Sequence, residues 1–468
     1  MMRRLAAAFS LLRGVPRQAG LGLLLLTLLL GPAPGRAAGR VAAQEGYTRE
    51  YLPVANRFAS IDAVLYTPAT PIPDLIVLFA HPWGGSLDNV ACKGLAQRGV
   101  TILCFNGRYT NQYRGAPSLA WHLWLRDVAA AVQEARDRGY GKVVLFGMSA
   151  GGATMASYEY VAERGNAAFT DPDQLYPFDG YVDAQGNELR LPRVDGLVLG
   201  NAIPGMAESF LLGLDAAVTD EEHPRAVDPN LDMYAAQNGF DPQSLRATYT
   251  PEFLQRYRRA QAERMARLVA TAQDRYQQVQ AGQGSYPDND LLVVPHAFAN
   301  PWMVDTTLAS RTQGRYLLLP AGQVDEVRSV RPAASGNYRT NQSLGGAYPF
   351  YLTTLLGRAV RVDPARYDAA ATRMEDTGID HRSAIASTVW SLNQLDPAVP
   401  LIIFEGTGDA LVNLPSAELN LNSAAARDKQ LVFVEGGEHF TMAPVDPSFG
   451  DTEGIYHDAI AHWLRERY

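Results

Sequence analysis

Lys142-Val143-Val144-Leu145-Phe146-Gly147-Met148-Ser149-Ala150-Gly151-Gly152 runs from an apolar stretch straight into a glycine-rich turn. Residues 142–146 read as a strand, and Gly147 to Arg164 as a turn and helix. Residues 147–151 match G-x-S-x-G, a pattern that presents a nucleophile when it joins a strand to a helix. Such a turn strains the serine backbone, and small residues at 147 and 151 let neighbouring segments approach. The helix N-terminus offers its free amides and dipole to a developing negative charge.

The same alternation extends on both sides. Leu75–Ala80, Val100–Phe105 and Val194–Leu199 are apolar runs that read as strands, and Leu87–Arg98 and Ser118–Arg138 as helices between them. Continuous apolar runs suit strands buried on both faces of a parallel sheet, with helices as crossovers. In the second helix Leu123, Val128 and Val132 mark the buried face, and Asp127, Glu134 and Arg138 the wet one. Phe58–Tyr66 reads as a further strand. The rhythm returns late, with strands at Pro400–Phe404 and Gln430–Val434 and helices at Ser416–Ala426 and Glu453–Arg467. Between 203 and 395 it breaks. There Pro251–Ala281 reads as one long, polar, solvated helix, and Leu291–Val294 and Tyr316–Leu319 as short strands. The expected organisation is a core in two parts, 44–202 and 396–468, around a mixed cap insertion at 203–395.

Residues 1–43 stand apart. They hold six arginines, no acidic residue and the apolar stretch Leu21–Leu30, followed by Gly31, Pro32 and Pro34. A stretch of ten residues is too short to span a bilayer. The pattern reads as a signal peptide with a cut after Val41-Ala42-Ala43, which predicts an exported, periplasmic or secreted protein with no remaining anchor. The chain carries 41 basic and 49 acidic residues, and without this segment 35 against 49, a formal charge of −14. So acidic a balance argues against a nucleic-acid partner. Of 468 residues only Cys92 and Cys104 are cysteines. An exported chain can keep a disulfide, and both a bridge and two separate buried thiols fit their positions. No C-x-x-C metal pattern occurs, and no cofactor or metal is expected.

A serine hydroxyl needs a base to take its proton. His439 follows the strand 430–434 in Glu435-Gly436-Gly437-Glu438-His439, at the sheet edge where ligands bind in open α/β folds. Asp409 follows the preceding strand in Glu405-Gly406-Thr407-Gly408-Asp409, and the glycines let the chain turn its carboxylate back over the sheet. Glu405 is a competing acid but sits too close to its strand. The order Ser149, Asp409, His439 is that of one class of triad enzymes. Acyl transfer also needs two N–H donors aimed at the oxyanion. Ala150 N–H is one. The loop His81-Pro82-Trp83-Gly84-Gly85 supplies the other; proline has no N–H, so Trp83 comes first and Gly84 second, with His81 bracing the loop. Asn106–Asn111 reads equally as pocket lining or as a polar turn.

Residues 147–151, Gly408-Asp409, Glu438-His439 and the 81–85 loop together resemble the α/β-hydrolase superfamily. The resemblance covers about 58–200 and 396–468. It implies a mostly parallel sheet covered by helices on both faces, with Ser149 as nucleophile, Asp409 as acid and His439 as base. The family often has His-Gly where this chain has His81-Pro82. The implied activity is hydrolysis of a carboxylic ester, small or polymeric. An amide, a lactone or a β-diketone C–C bond is the alternative, and a non-catalytic binding protein on the same fold is the reading from another class. Tyrosines and Trp302 in the insertion would suit an apolar or aromatic group, or the core.

Overall fold

The structure is a computed structural model that describes residues 46–110, 120–223, 227–244, 246–284, 290–297, 317–318, 324–325, 348–409 and 411–468. The expected signal peptide, the helix start at Ser118, Asn111 and Trp302 lie outside the described residues.

Eight strands form the central sheet: β1 (Tyr47–Ala55), β2 (Ser60–Pro68), β3 (Leu75–Ala80), β4 (Ile102–Asn106), β5 (Lys142–Met148), β6 (Gly196–Gly200), β7 (Leu401–Gly406) and β8 (Lys429–Val434). Their spatial order is β1-β2-β4-β3-β5-β6-β7-β8. β2 runs antiparallel to both β1 and β4, and every later pairing among the eight is parallel. β1 was not expected from sequence. Side chains of β3 show why apolar runs mark these strands: Ile76 and Leu78 enter the core on one face, Leu75, Val77 and Phe79 the core on the other. Helices α1 (Val90–Gln97) and α9 (Thr452–Arg467) cover the second face. Helices α2 (Trp121–Asp137), α3 (Ala150–Arg164), α7 (Thr388–Gln394) and α8 (Leu414–Ser423) cover the first. Cys92 on α1 and Cys104 on β4 are joined as a disulfide. Closing a loop of about this length stabilises by roughly 3 kcal/mol.

Asp127 departs from the expected wet face of α2. It is buried, and Arg108 reaches it with its guanidinium at 2.6 and 3.0 Å and its backbone N–H at 2.8 Å. The ion pair lets a charged side chain occupy an inward position. Residues 106–108 therefore act in part as a brace, and Asn106 Oδ1 also accepts the Ser86 N–H at 2.8 Å.

Between β6 and β7 lie α4 (Met206–Gly213), α5 (Pro251–Gln280), α6 (Leu352–Leu356) and a two-stranded ribbon pairing 291–294 with 348–351. They bury a separate core around Leu211, Met265, Leu268 and Leu355. α5 is not solvated all round. Arg258, Gln261 and Arg264 are buried along it, and the Arg258 guanidinium donates to Gln261 Oε1 at 2.8 Å. Gln261 Nε2 donates to the carbonyls of Leu212 and Leu214, and Arg264 donates to those of Asp215 and Pro295 and pairs with Glu221. Leu317–Leu318 extends the main sheet, parallel to Phe433 and Val434 of β8, and Val324–Asp325 pairs beyond it. No helix among the described residues is long and apolar enough to cross a membrane.

Candidate active site

Strand β5 ends at Met148, helix α3 begins at Ala150, and Ser149 alone makes the turn, at φ 56° and ψ −123°. A non-glycine residue rarely holds a positive φ, and such strain persists only where the surroundings over-determine it. Here the Ser149 N–H is fixed on Gly200 O of β6 at 2.8 Å. The flanking glycines permit the turn. A Cβ on Gly147 would stand 2.3 Å from Gly151 O, and one on Gly151 2.6 Å from Ala80 O at the end of β3.

His439 Nε2 lies 2.9 Å from Ser149 Oγ, and His439 Nδ1 lies 2.7 Å from Asp409 Oδ2. All three residues are buried. Asp409 Oδ1 accepts the N–H groups of Leu411 and, at 2.9 Å, Val412, so one carboxylate oxygen holds the turn and the other faces the imidazole. A neutral imidazole that donates Nδ1–H to the carboxylate keeps Nε2 free to accept the serine proton. The three expected side chains thus meet at the C-terminal edge of the sheet, from the ends of β5, β7 and β8.

Glu405 does not join them. It is fully buried on β7, and neither carboxylate oxygen has a hydrogen-bond partner among the described residues. Burial first, and then the charge of Asp409, push its carboxyl well above the ordinary range. It stays protonated in the fold and ionises readily once unfolded. Stability is therefore greatest below the unfolded carboxyl pKa and falls as pH rises through the folded value. Glu405→Gln is expected to be stabilising near about pH 8 and close to neutral near about pH 4, because glutamine never has to give up an unfolded-state charge. Denaturant midpoints at the two values check this; equal shifts at both would sink it.

Asn201, at the end of β6, was not singled out by sequence. It holds φ 44°, and its N–H donates to Phe404 O of β7 at 2.8 Å. Its Oδ1 accepts the Gly406 N–H at 2.8 Å, while Nδ2 donates to His439 O at 2.7 Å and Glu438 O at 3.0 Å. One side chain therefore ties the strand carrying Asp409 to the loop carrying His439. Its only sequence signal is an asparagine just after an apolar strand, where such a residue tolerates positive φ.

At the loop after β3 the geometry is specific. Ala150 N–H belongs to the first turn of α3, where no helical carbonyl precedes to take it. Trp83 N–H and Gly84 N–H, the other expected donors, both point at His81 Nδ1, at 3.2 and 2.8 Å. His81 thus braces the loop, and its own N–H donates to Ser86 Oγ at 3.0 Å. Burial, with the charge of His439 adding to it, brings the His81 pKa down to about 4. The Trp83 ring meets Trp124 edge-on at 5.4 Å, and Trp121 meets Trp124 at 4.6 Å, an aromatic wall beside this loop. Among the described residues no group of three or more His, Cys, Asp or Glu is arranged to hold a metal ion.

No protein-family model matches the sequence, and no curated protein matches it. Solved structures with a similar fold include a monoacylglycerol lipase of Paleococcus ferrophilus, at 12% identity and TM-score 0.35 over 87% of this chain and 99% of that one. The esterase domain of a Rhodothermus marinus protein aligns at 12% identity and TM-score 0.37, over 89% and 98%. Carboxyl esterase 2 of Tuber melanosporum aligns at 12% and 0.38, over 91% and 88%. Likeness at these values carries no argument about activity. By its own strand order, its antiparallel second strand and its strand–serine–helix turn, the chain has the α/β-hydrolase fold.

Proposed function

We propose that this protein is an exported serine hydrolase that cleaves a carboxylic ester through an acyl-enzyme on Ser149. The observation that carries the reading is the continuous hydrogen-bonded chain from Ser149 Oγ through His439 to Asp409, closed at 2.9 and 2.7 Å. Ser149 Oγ attacks the ester carbonyl while His439 Nε2 takes its proton. Asp409 holds the imidazole in the Nδ1–H tautomer and stabilises the cation that forms. His439 then returns the proton to the leaving alcohol, and water enters by the reverse sequence to release the acid. Ala150 N–H stabilises the tetrahedral oxyanion. The residues between β6 and β7 act as a cap that selects substrates by shape, and residues 1–43 direct export. The Cys92–Cys104 disulfide supports export, since such bonds persist in oxidising compartments.

A fluorophosphonate probe and a panel of p-nitrophenyl esters of increasing chain length, with aryl amides as contrast, test the reading. The expected result is labelling of the wild type but not of Ser149→Ala, with ester turnover ahead of amide turnover. A folded sample that takes no label and turns over nothing in the panel overturns it.

A further inference from the structure

The hydrolase reading needs a second oxyanion donor, and the backbone of the loop after β3 has little to offer. Pro82 has no N–H. The N–H of His81 is committed to Ser86 Oγ, that of Ser86 to Asn106 Oδ1, and those of Trp83 and Gly84 to His81 Nδ1. Gly85 remains, at an exposed position where a Cβ would meet nothing within 4 Å.

The imidazole itself is the better placed donor. Accepting two N–H groups at Nδ1 requires that this nitrogen carry no hydrogen. A neutral ring has one N–H, so it sits on Nε2, on the side of the ring away from the 82–84 turn. The residue borders the nucleophile turn: the His81 Cα and the Ala80 carbonyl are the nearest neighbours a Cβ on Gly151 would meet, at 3.7 and 2.6 Å. Resting on the reading above, we infer that His81 Nε2–H is the second oxyanion donor, acting with Ala150 N–H, while its Nδ1 keeps the loop folded.

The surroundings suit that role. Burial and the neighbouring His439 disfavour a charge on His81. His81 therefore remains a neutral donor while His439 becomes the imidazolium, and two cations never compete at one site. The donor is also fixed before substrate arrives, because two backbone bonds set the tautomer and the ring angle; such preorganisation is what makes an oxyanion donor effective.

His81→Asn separates the two roles, since the asparagine Oδ1 can take the Trp83 and Gly84 N–H groups but nothing replaces Nε2–H. On the best p-nitrophenyl ester its kcat is expected to fall roughly 10²–10³-fold, the loss typical of one oxyanion donor. KM should stay within about threefold, and affinity for a boronic acid that mimics the tetrahedral adduct should fall in step with kcat. A folded His81→Asn variant with kcat and boronate affinity within about threefold of wild type overturns the assignment. Should the variant not fold, ¹⁵N NMR of the wild type decides. Nε2 of His81 should be protonated, and its N–H signal should move downfield when a trifluoromethyl ketone adds to Ser149. A deprotonated Nε2, or a signal unmoved by the adduct, overturns the assignment. Failure of the broader reading looks different: wild-type protein that neither turns over esters nor takes the fluorophosphonate.

Discussion

Ser149→Ala is expected to lower kcat on p-nitrophenyl esters by roughly 10⁴–10⁶-fold, with KM little changed. In the proposed mechanism Ser149 Oγ is the atom that bonds to carbon, and among the described residues no other hydroxyl is hydrogen-bonded to His439 Nε2. His439→Ala should cost about as much, since a serine without its base is close to inert at neutral pH. The double variant should be no worse than either single one, because the two residues form one proton-transfer unit and their effects do not add. Additive losses, or a residual rate in Ser149→Ala within about tenfold of wild type, would place the chemistry elsewhere. Thermal melts of all three variants keep loss of fold apart from loss of chemistry. Removing Oγ should not weaken the fold greatly, because the strained turn is held by the Ser149 N–H on Gly200 O and by the glycine contacts, not by the hydroxyl.

Asp409→Asn should lower kcat by roughly 10⁴-fold while leaving the fold intact. The hydrogen bonds around residue 409 make this result directional. Oδ1 accepts two backbone N–H groups, from Leu411 and Val412, so an asparagine must keep its carbonyl oxygen there. Its NH₂ group is then forced toward His439 Nδ1, which has to become the acceptor. The imidazole proton moves to Nε2, and that nitrogen can no longer take the proton of Ser149. Glu405 offers no rescue, being buried and held protonated. Steady-state kinetics over the neutral pH range, with a melting curve, check this. A variant within about tenfold of wild type would remove Asp409 from the mechanism.

How far the sequence could be read differs from residue to residue. The buried strands were legible because both faces of each are covered, so nearly every residue must be apolar, as in Leu75–Ala80. β1 escaped because it is an edge strand with an antiparallel partner on one side only; its alternation is broken by exposed Thr48, Arg49 and Tyr51. Asp127 and the inner face of α5 misled for a shared reason. Charged and amide side chains read as solvated in one dimension, and only the fold brings the groups that let them be buried: Arg108 for Asp127, loop carbonyls and Glu221 for Gln261 and Arg264. Asn201 had no motif to announce it, because its importance lies wholly in bonds to segments more than 200 residues away.

By itself the sequence determined the local chemistry: a serine between a strand and a helix, flanked by glycines that the turn requires, with an acid and a histidine each just past a buried strand. Those features depend on periodicity, turn propensity and the absence of a Cβ, all of which act within a few residues. What only the tertiary structure decided is which atoms face one another. It joined Cys92 to Cys104, buried Glu405 beside Asp409, and turned the Trp83 and Gly84 N–H groups toward His81 Nδ1. Hydrogen bonds form only within about 3 Å and along set directions, and such positions are fixed by packing between distant segments rather than by the spacing of letters along the chain.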